Sequence, residues 1–412
     1  MRPTPVQRGR QPKPTNNDTS KKTSIVADEK ETERKKPGLK VAIVHDWLTG
    51  GGAELVVEQL HKMFPDAPIY TSQATRYWRQ RLDGKVKTGI LQCWPLPLLK
   101  KFTPVLRVWW FTHLNLNDYD LVISSSGAEA KGIRVPRRVL HINYCHAPTH
   151  YYWSRYKEYM NRPGTGLLGN LSRAGLRILI KSMRKWDYKA AQRPDYMIAN
   201  SKHIKSEIQK YYDRSATVIN PPVAIERFRH LASNKKRRGF VIACRQTPYK
   251  RVDIAVRACT KLNLPLTVIG IGPEHRRLKR MAGKTVTFLG KVSDEVLAEE
   301  LASAKAFLFP GLEDFGITPV EALAAGTPVI AYAAGGAFDY VIPGKTGILF
   351  EEQTVTGLAK ALRSFARSNF DSIEISRFSE RFSRQQFRRN MSTFIKRALQ
   401  EANRENANQD KE

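Results

Sequence analysis

Glu313 and Glu321 stand eight residues apart in the run FPGLEDFGITPVEALAAGTPVIA. The apolar stretch Ala306, Phe307, Leu308 and Phe309 predicts a buried parallel strand, which Pro310-Gly311 ends. Thr318-Pro319 predicts the opening of a helix, because proline lacks only an N–H that the first helical turn does not use. Glu313 then falls at the carboxyl end of a strand, the edge where open parallel sheets bind ligands, and Glu321 lies roughly one turn into the helix. The backbone N–H groups of Phe315, Gly316, Ile317 and Thr318 point from that helix start and suit hydroxyl or phosphate oxygens. Carboxylates among such donors accept hydrogen bonds from neighbouring hydroxyls of a polyol. The chemistry implied is the binding of a sugar attached to a phosphate. A plain alternative for either glutamate alone is a carboxylate that offsets the helix dipole. A glycosidase-type carboxylate pair fits poorly, because one residue sits on a loop and the other in a helix.

Arg245 and Lys250 directly follow another candidate strand, in ACRQTPYKRVD. Two cations at a strand's carboxyl end suit a pyrophosphate, and the planar guanidinium matches paired phosphate oxygens. Gly50-Gly51-Gly52 form a glycine turn after the first apolar run of the chain, where a backbone can approach a ligand closely. Three other patterns imitate sites without completing them. Gly344-Lys345-Thr346 resembles the end of a Walker A loop, but Asp339 occupies the position of its first glycine. Gly270-Ile271-Gly272 begins a dinucleotide fingerprint, yet His275 replaces the third glycine. Asp118-Tyr119-Asp120 has the spacing of a metal-binding acidic pair, but it precedes a strand and so falls at the edge away from a ligand cleft. No metal is expected.

Two series of alternating strands and helices must position these residues. The first contains Leu39–Val44, Asp120–Ser124, Leu140–Tyr144 and Tyr196–Asn200; the second contains Gly239–Ala243, Leu266–Gly270, Val286–Gly290, Ala306–Phe309 and Pro328–Ala331. Such alternation predicts doubly wound parallel sheets. Pro221-Pro222 and the basic run Asn234–Arg238 mark the join. The expected organisation is a disordered basic tail over 1–38 and a Rossmann-like domain over 39–220. A second Rossmann-like domain over 221–385 follows, then a helix over 386–402 that packs back on the first domain, and a polar tail over 403–412.

The pattern E-x-F-G-x-x-x-x-E from Glu313 to Glu321, followed by Ala325, Gly326, Pro328, Val329 and Ile330 as A-G-x-P-V-I, resembles the retaining GT-B glycosyltransferases of family 4. The resemblance covers about residues 39 to 400. It implies an α/β fold of the GT-B kind, two Rossmann-like doubly wound domains facing across a cleft, and makes the domain over 39–220 the acceptor side and that over 221–385 the nucleotide-sugar side. It implies that Glu313 and the amides of Phe315 to Thr318 hold the donor sugar and that Glu321 holds the nucleotide ribose. Arg245 and Lys250 match the family's R-x-x-x-x-K element, whose cations neutralise the departing diphosphate. Gly51 and Gly52 match the loop that meets the donor from across the cleft. Tyr144-Cys145-His146-Ala147-Pro148, continuing to Trp153, resembles the Y-C-H-x-P-x-R-Y-x-W pattern of mannosyltransferase-like members. That likeness places His146 at the sugar donor and favours GDP-mannose as the substrate, with no cofactor beyond the nucleoside-diphosphate sugar. His150 stands where the pattern has arginine. The acceptor implied is a hydroxyl of a glycan or of a lipid-linked molecule.

The 412 residues, 41% of them hydrophobic, are enough for two ordinary cores. The four cysteines show no C-x-x-C or finger spacing, which fits a cytoplasmic setting. No apolar run approaches a membrane span, and the amino-terminal stretch lacks an apolar signal core. The net charge of +31 lies mostly outside the tail, since residues 1–40 carry only +6 of it. Such charge attracts anionic lipid, phosphorylated ligands or nucleic acid. Trp94–Leu114 and the cationic stripe between Leu171 and Ala191 suit equally a peripheral contact with the inner membrane face and core helices with a solvated basic face. A nucleic-acid module leaves the glutamate, arginine and lysine pattern without purpose and is not expected. A nucleotide-sugar epimerase on the same fold is the alternative enzyme; it needs no acceptor.

Overall fold

The computed structural model describes residues 38–96, 103–161, 169–234 and 236–409. The expected basic tail lies outside the described residues, except for Gly38. In chain order the first half comprises β1 (Val41–His45), α1 (Ala53–Met63), β2 (Ile69–Thr71), α2 (Arg76–Arg81), β3 (Val86–Thr88), α3 (Pro104–Thr112), β4 (Leu121–Ser126), β5 (Leu140–Cys145), α4 (Tyr156–Asn161), α5 (Gly169–Ala191), β6 (Tyr196–Ala199), α6 (Lys202–Tyr212) and β7 (Thr217–Val218). The second half comprises α7 (Glu226–Arg229), β8 (Phe240–Ala243), α8 (Val252–Lys261), β9 (Leu266–Ile269), α9 (His275–Met281), β10 (Val286–Gly290), α10 (Asp294–Ser303), β11 (Ala306–Phe309), α11 (Ile317–Ala324), β12 (Val329–Tyr332), α12 (Ala337–Tyr340), β13 (Gly347–Phe350), α13 (Val355–Phe365), α14 (Ser372–Phe378) and α15 (Arg384–Gln409).

Both sheets are wholly parallel, with strand orders β3-β2-β1-β4-β5-β6-β7 and β10-β9-β8-β11-β12-β13. In each, the chain runs outward on one side of the first strand and then returns to its other side. The switch points lie between β1 and β4 and between β8 and β11, the crevices where such sheets bind ligands. The central strands are buried on both faces: VAIVH of β1 and AFLF of β11 contain no solvent-facing position.

The expected strands are present, and the sheets add β2, β3, β7 and β13, all short segments without a long apolar run. The carboxyl-terminal helix runs unbroken from Arg384 to Gln409 rather than over 386–402, because no glycine or proline interrupts it. Phe387, Met391, Ile395 and Ala398 on one side of α15 join the core formed by Val41, Ile43, Leu60 and Tyr144. Tyr196 Oη donates to Glu401 at 2.8 Å, fastening the helix to β6. Where the chain passes between the two halves, Val223 N donates to Phe382 O at 2.9 Å, so the outgoing and returning crossings lie side by side.

Candidate active site

The second sheet brings two of its loops together at the switch point. After β8 the chain makes a tight turn over Pro248–Lys250, closed by Lys250 N donating to Thr247 O at 3.1 Å. After β11 comes the Glu313–Gly316 loop. Lys250 Nζ forms an ion pair with Glu313 Oε1, and both side chains are mostly buried. The two groups therefore touch directly, although they come from loops that follow different strands. Burial works against the Lys250 charge, but the Glu313 carboxylate outweighs it and raises the ammonium above its ordinary range. Arg245 is exposed, and no carboxylate lies within ion-pairing distance of it among the described residues.

The Glu313 loop is rigid for identifiable reasons. Gly336 N donates to Glu313 O and Tyr340 Oη donates to Phe315 O, each at 2.8 Å. The Phe315 ring is buried against Tyr340 and Phe382. Gly316 caps α11 with φ of 92°, and a side chain there meets Tyr340 Oη at 2.8 Å and Phe309 Cζ at 2.9 Å, so only glycine fits. The helix begins at Ile317, one residue before the Thr-Pro pair, and the amides of its first turn have no carbonyl one turn earlier to accept them.

Glu321 lies farther along α11, beside Arg227 and Asp294, which pair with each other at 2.7 Å. Burial pushes its carboxyl up to about 7; Arg227 partly offsets this and Asp294 adds to it.

From the first half, the glycine turn reaches α11 across the cleft. A Cβ added to Gly52, the cap of α1, would lie 2.6 Å from Ile317 Cδ1, so the bare backbone there lies close against that side chain. Glu54 Oε1 accepts from Gly50 N at 2.8 Å and from Thr49 N at 3.3 Å, holding the turn over the helix start. Asp46, at the end of β1, accepts from Gly127, Ala128 and Ala130 N at 2.8 to 3.0 Å and from the Ser126 hydroxyl. These bonds tie the β1 and β4 loops together at the first switch point. Burial raises the Asp46 carboxyl, and the nearby Glu129 adds to the effect.

His146 follows β5 directly. Its Nε2 lies 2.8 Å from Ser125 Oγ, and its ring sits edge-on to His45 at 6.1 Å. Burial drives its imidazole down to about 3 with help from His45, against a weaker opposing pull from Asp314, so the ring is neutral at pH 7.

Other residues, none of them among the expected site residues, hold the halves in register. Asp314 Oδ2 pairs with His150 Nε2 at 2.9 Å, and Asp314 Oδ1 lies 3.7 Å from Arg155. Its carbonyl accepts from the Ser201 hydroxyl at 2.5 Å, and Lys202 N donates to Asp339 Oδ2 at 3.2 Å. The Arg155 guanidinium lies 4.4 Å from the centre of the Tyr249 ring. Although burial acts to raise it, His150 and Arg155 bring the Asp314 carboxyl down to about 2. His150, the departure from the resembling pattern, thus spends its Nε2 on a contact between the halves. His150 and Asp314 are 164 positions apart, so no local signal could have joined them.

The imitations are accounted for. Asp120 Oδ2 accepts from Lys40 N at the amino edge of the first sheet. Thr346 is buried and donates to Tyr340 O at 2.7 Å. His275 Nδ1 lies 2.8 Å from Gln246 Oε1, fixing the loop after β8. Among the described residues, no group of three metal-ligating side chains comes together.

Comparison with known proteins bears on what this geometry serves. Residues 224–385 match the family model described as glycosyl transferases group 1. D-inositol 3-phosphate glycosyltransferase of Streptomyces avermitilis is 31% identical over 206 residues, 42% of this chain and 44% of that protein. GDP-mannose-dependent alpha-mannosyltransferase of Mycolicibacterium smegmatis is 37% identical over 114 residues, 27% of this chain and 30% of its own length. The chain thus spans less than half the length of these curated relatives. The crystal structure of Anabaena HepE in complex with UDP superposes with a TM-score of 0.63 at 18% identity, covering 87% of this chain and all of that one. Two parallel-sheet α/β halves arranged as in solved GT-B glycosyltransferases, the second matching glycosyl transferases group 1, are what this chain shares with known proteins.

Proposed function

We propose that the protein is a retaining hexosyltransferase that moves a sugar, mannose from GDP-mannose in the preferred reading, to a hydroxyl of a glycan or lipid-linked acceptor. The observation that carries this reading is the Lys250–Glu313 pair at the second switch point, with the α11 amides beside it and the Gly52 turn against Ile317. Lys250 and the exposed Arg245 take the diphosphate, whose growing charge is the main electrostatic demand of the bond cleavage. Glu313 and His146 orient the sugar by its hydroxyls. With Nε2 engaged by Ser125, His146 offers Nδ1, and its neutral ring can accept a hydrogen bond there. Glu321 accepts from the ribose. The bond from the anomeric carbon to the diphosphate oxygen breaks, and the acceptor oxygen bonds to that carbon on the same face. The acceptor's proton passes to the departing diphosphate. Contacts from His150, Arg155 and Ser201 to Asp314 keep the halves together and water out while this happens. Similarity to a GDP-mannose-dependent enzyme supports mannose, and the four free cysteines suit the cytoplasm.

The test is GDP-mannose turnover, with and without candidate polyol acceptors, by wild type, Glu313→Ala and Lys250→Ala, the product anomer being read by NMR. Lys250→Ala is expected to lower turnover about 100-fold or more, by analogy with the loss of one transition-state donor, and Glu313→Ala to lower it strongly by removing the hydrogen-bond acceptor that orients the sugar. Near-wild-type turnover in both variants sinks the assignment. Epimerised donor formed without acceptor redirects it to an epimerase.

A further inference from the structure

Helices α3 and α5 are adjacent: Val108 of α3 packs with Leu176, Ile180 and Met183 of α5. Together they present six large apolar side chains to solvent, namely Val105, Leu106 and Trp109 on α3, and Ile178, Leu179 and Tyr188 on α5. Among the described residues, no other helix exposes more than one. Ile178 is 78% exposed, so this is not incomplete packing of a core position. The outward stripe Ile178, Lys181, Lys185 and Tyr188 runs opposite the inward stripe Ile180, Met183, Asp187 and Ala190, a segregation that helical spacing produces only when two media are faced.

The charges on this face have one sign. Arg177, Lys181, Lys185 and Lys189 are exposed on α5. The one acid of either helix, Asp187, is buried and paired with Lys131. Exposed aliphatic residues contribute nothing to a phosphate backbone, which nucleic-acid surfaces read with cations and stacking rings. Aliphatic and tryptophan side chains flanked by cations, with no exposed carboxylate, match the boundary between anionic headgroups and acyl chains.

The face also borders the cleft. Arg107 on α3 pairs with Glu129 at 2.9 Å and lies 5.5 Å from the centre of the Trp47 ring, just before the glycine turn. Tyr152 and Trp153, which follow His146, pack in the same cluster as α3 and α5. We propose that the α3–α5 face docks on an anionic lipid bilayer and brings the first half's side of the cleft to the headgroup level. This surface stands on exposure, packing and charge, and does not depend on which sugar is transferred.

The test is binding of the full chain to sedimenting vesicles of phosphatidylcholine alone and of phosphatidylcholine with 30 mol% phosphatidylglycerol. Each exposed cation near an anionic surface strengthens binding about fivefold. The triple variant Arg177→Gln, Lys181→Gln, Lys185→Gln is therefore expected to lose roughly 100-fold in partitioning at low salt. Trp109→Ser with Ile178→Ser is expected to lose at least about tenfold, and Lys181→Arg with Lys185→Arg to keep wild-type binding. All these side chains are exposed, and circular dichroism with thermal unfolding serves as the folding control. Equal vesicle binding by wild type and both disruptive variants overturns the proposal. So does the absence of wild-type vesicle binding alongside a single-stranded RNA affinity that the triple variant abolishes.

Discussion

Replacing Glu321 by Gln offers a test in which stability and binding move in opposite directions. Burial pushes the Glu321 carboxyl up to about 7, against 4.5 in the unfolded chain, and Arg227 only partly compensates. Between those two pH values the folded state holds a proton that the unfolded state has released. Stability therefore falls as pH rises through the window, by ~1.4 kcal/mol per pH unit, and levels off above pH 7 at a cost of about 3 kcal/mol. Glutamine is neutral throughout and of nearly the same shape. Glu321→Gln is expected to match wild type near pH 4.5 and to exceed it at pH 8 by up to about 3 kcal/mol, or about 5–10 °C in Tm for a domain of this size. The wild type pays for a carboxylate that the ribose hydroxyls are proposed to need, so the same variant is expected to bind GDP about 10- to 100-fold more weakly. Thermal unfolding from pH 4.5 to 8.5 and calorimetric titration with GDP measure the two effects. A gain that is the same at pH 5 and pH 8, or no gain at pH 8, refutes the electrostatic reasoning. Tighter GDP binding refutes the proposed role.

Three further perturbations follow from the geometry. Asp314→Ala leaves His150 and Arg155 without their shared carboxylate, and the nucleotide-free protein is expected to open, raising its radius of gyration in X-ray scattering. Because the Asp314 carboxyl is held at about 2 against 3.8 unfolded, its contribution of about 2 kcal/mol is complete above pH 3.8 and lost as pH falls through 2. Acid unfolding of wild type and variant is expected to converge below that pH. Gly316→Ala introduces a left-handed strain and two short contacts with Tyr340 and Phe309, and is expected to destabilise by about 2–4 kcal/mol in urea unfolding. Phe387→Ala removes a buried ring shared by α15 and the first sheet, with an expected loss of about 3–5 kcal/mol measured on the first half's transition.

The legible part of the site was the part written locally. Pro310-Gly311, Phe315-Gly316 and Thr318-Pro319 mark strand end, loop and helix start within ten residues, because each acts on the backbone of its own neighbourhood. The alternation of apolar strands with helices likewise reported two doubly wound halves. What escaped was decided by packing at a distance. Lys250 and Glu313 were each selected, yet their direct contact depends on β8 and β11 being neighbours, which only the strand order reveals. The bridge from His150 to Asp314 joins side chains from different halves, and neither has a local pattern that announces a partner. Asp46 belongs to no motif, and its carboxylate satisfies three backbone amides about 80 positions away, beyond β4. The strands β2, β3 and β7 have two or three residues each, too few for any periodicity to show.

The return of α15 to the first sheet has a consequence for how the chain matures. During synthesis, residues 41–218 leave the ribosome long before Phe387, Met391, Ile395 and Ala398, so the first sheet waits with one apolar flank uncovered while the second half emerges. The second half has its own clusters and can close first. Completion of the earlier-made half is thus timed by the later-made one. A ribosome stalled before Phe387 would display that open flank to chaperones, and one stalled beyond Ala398 would not.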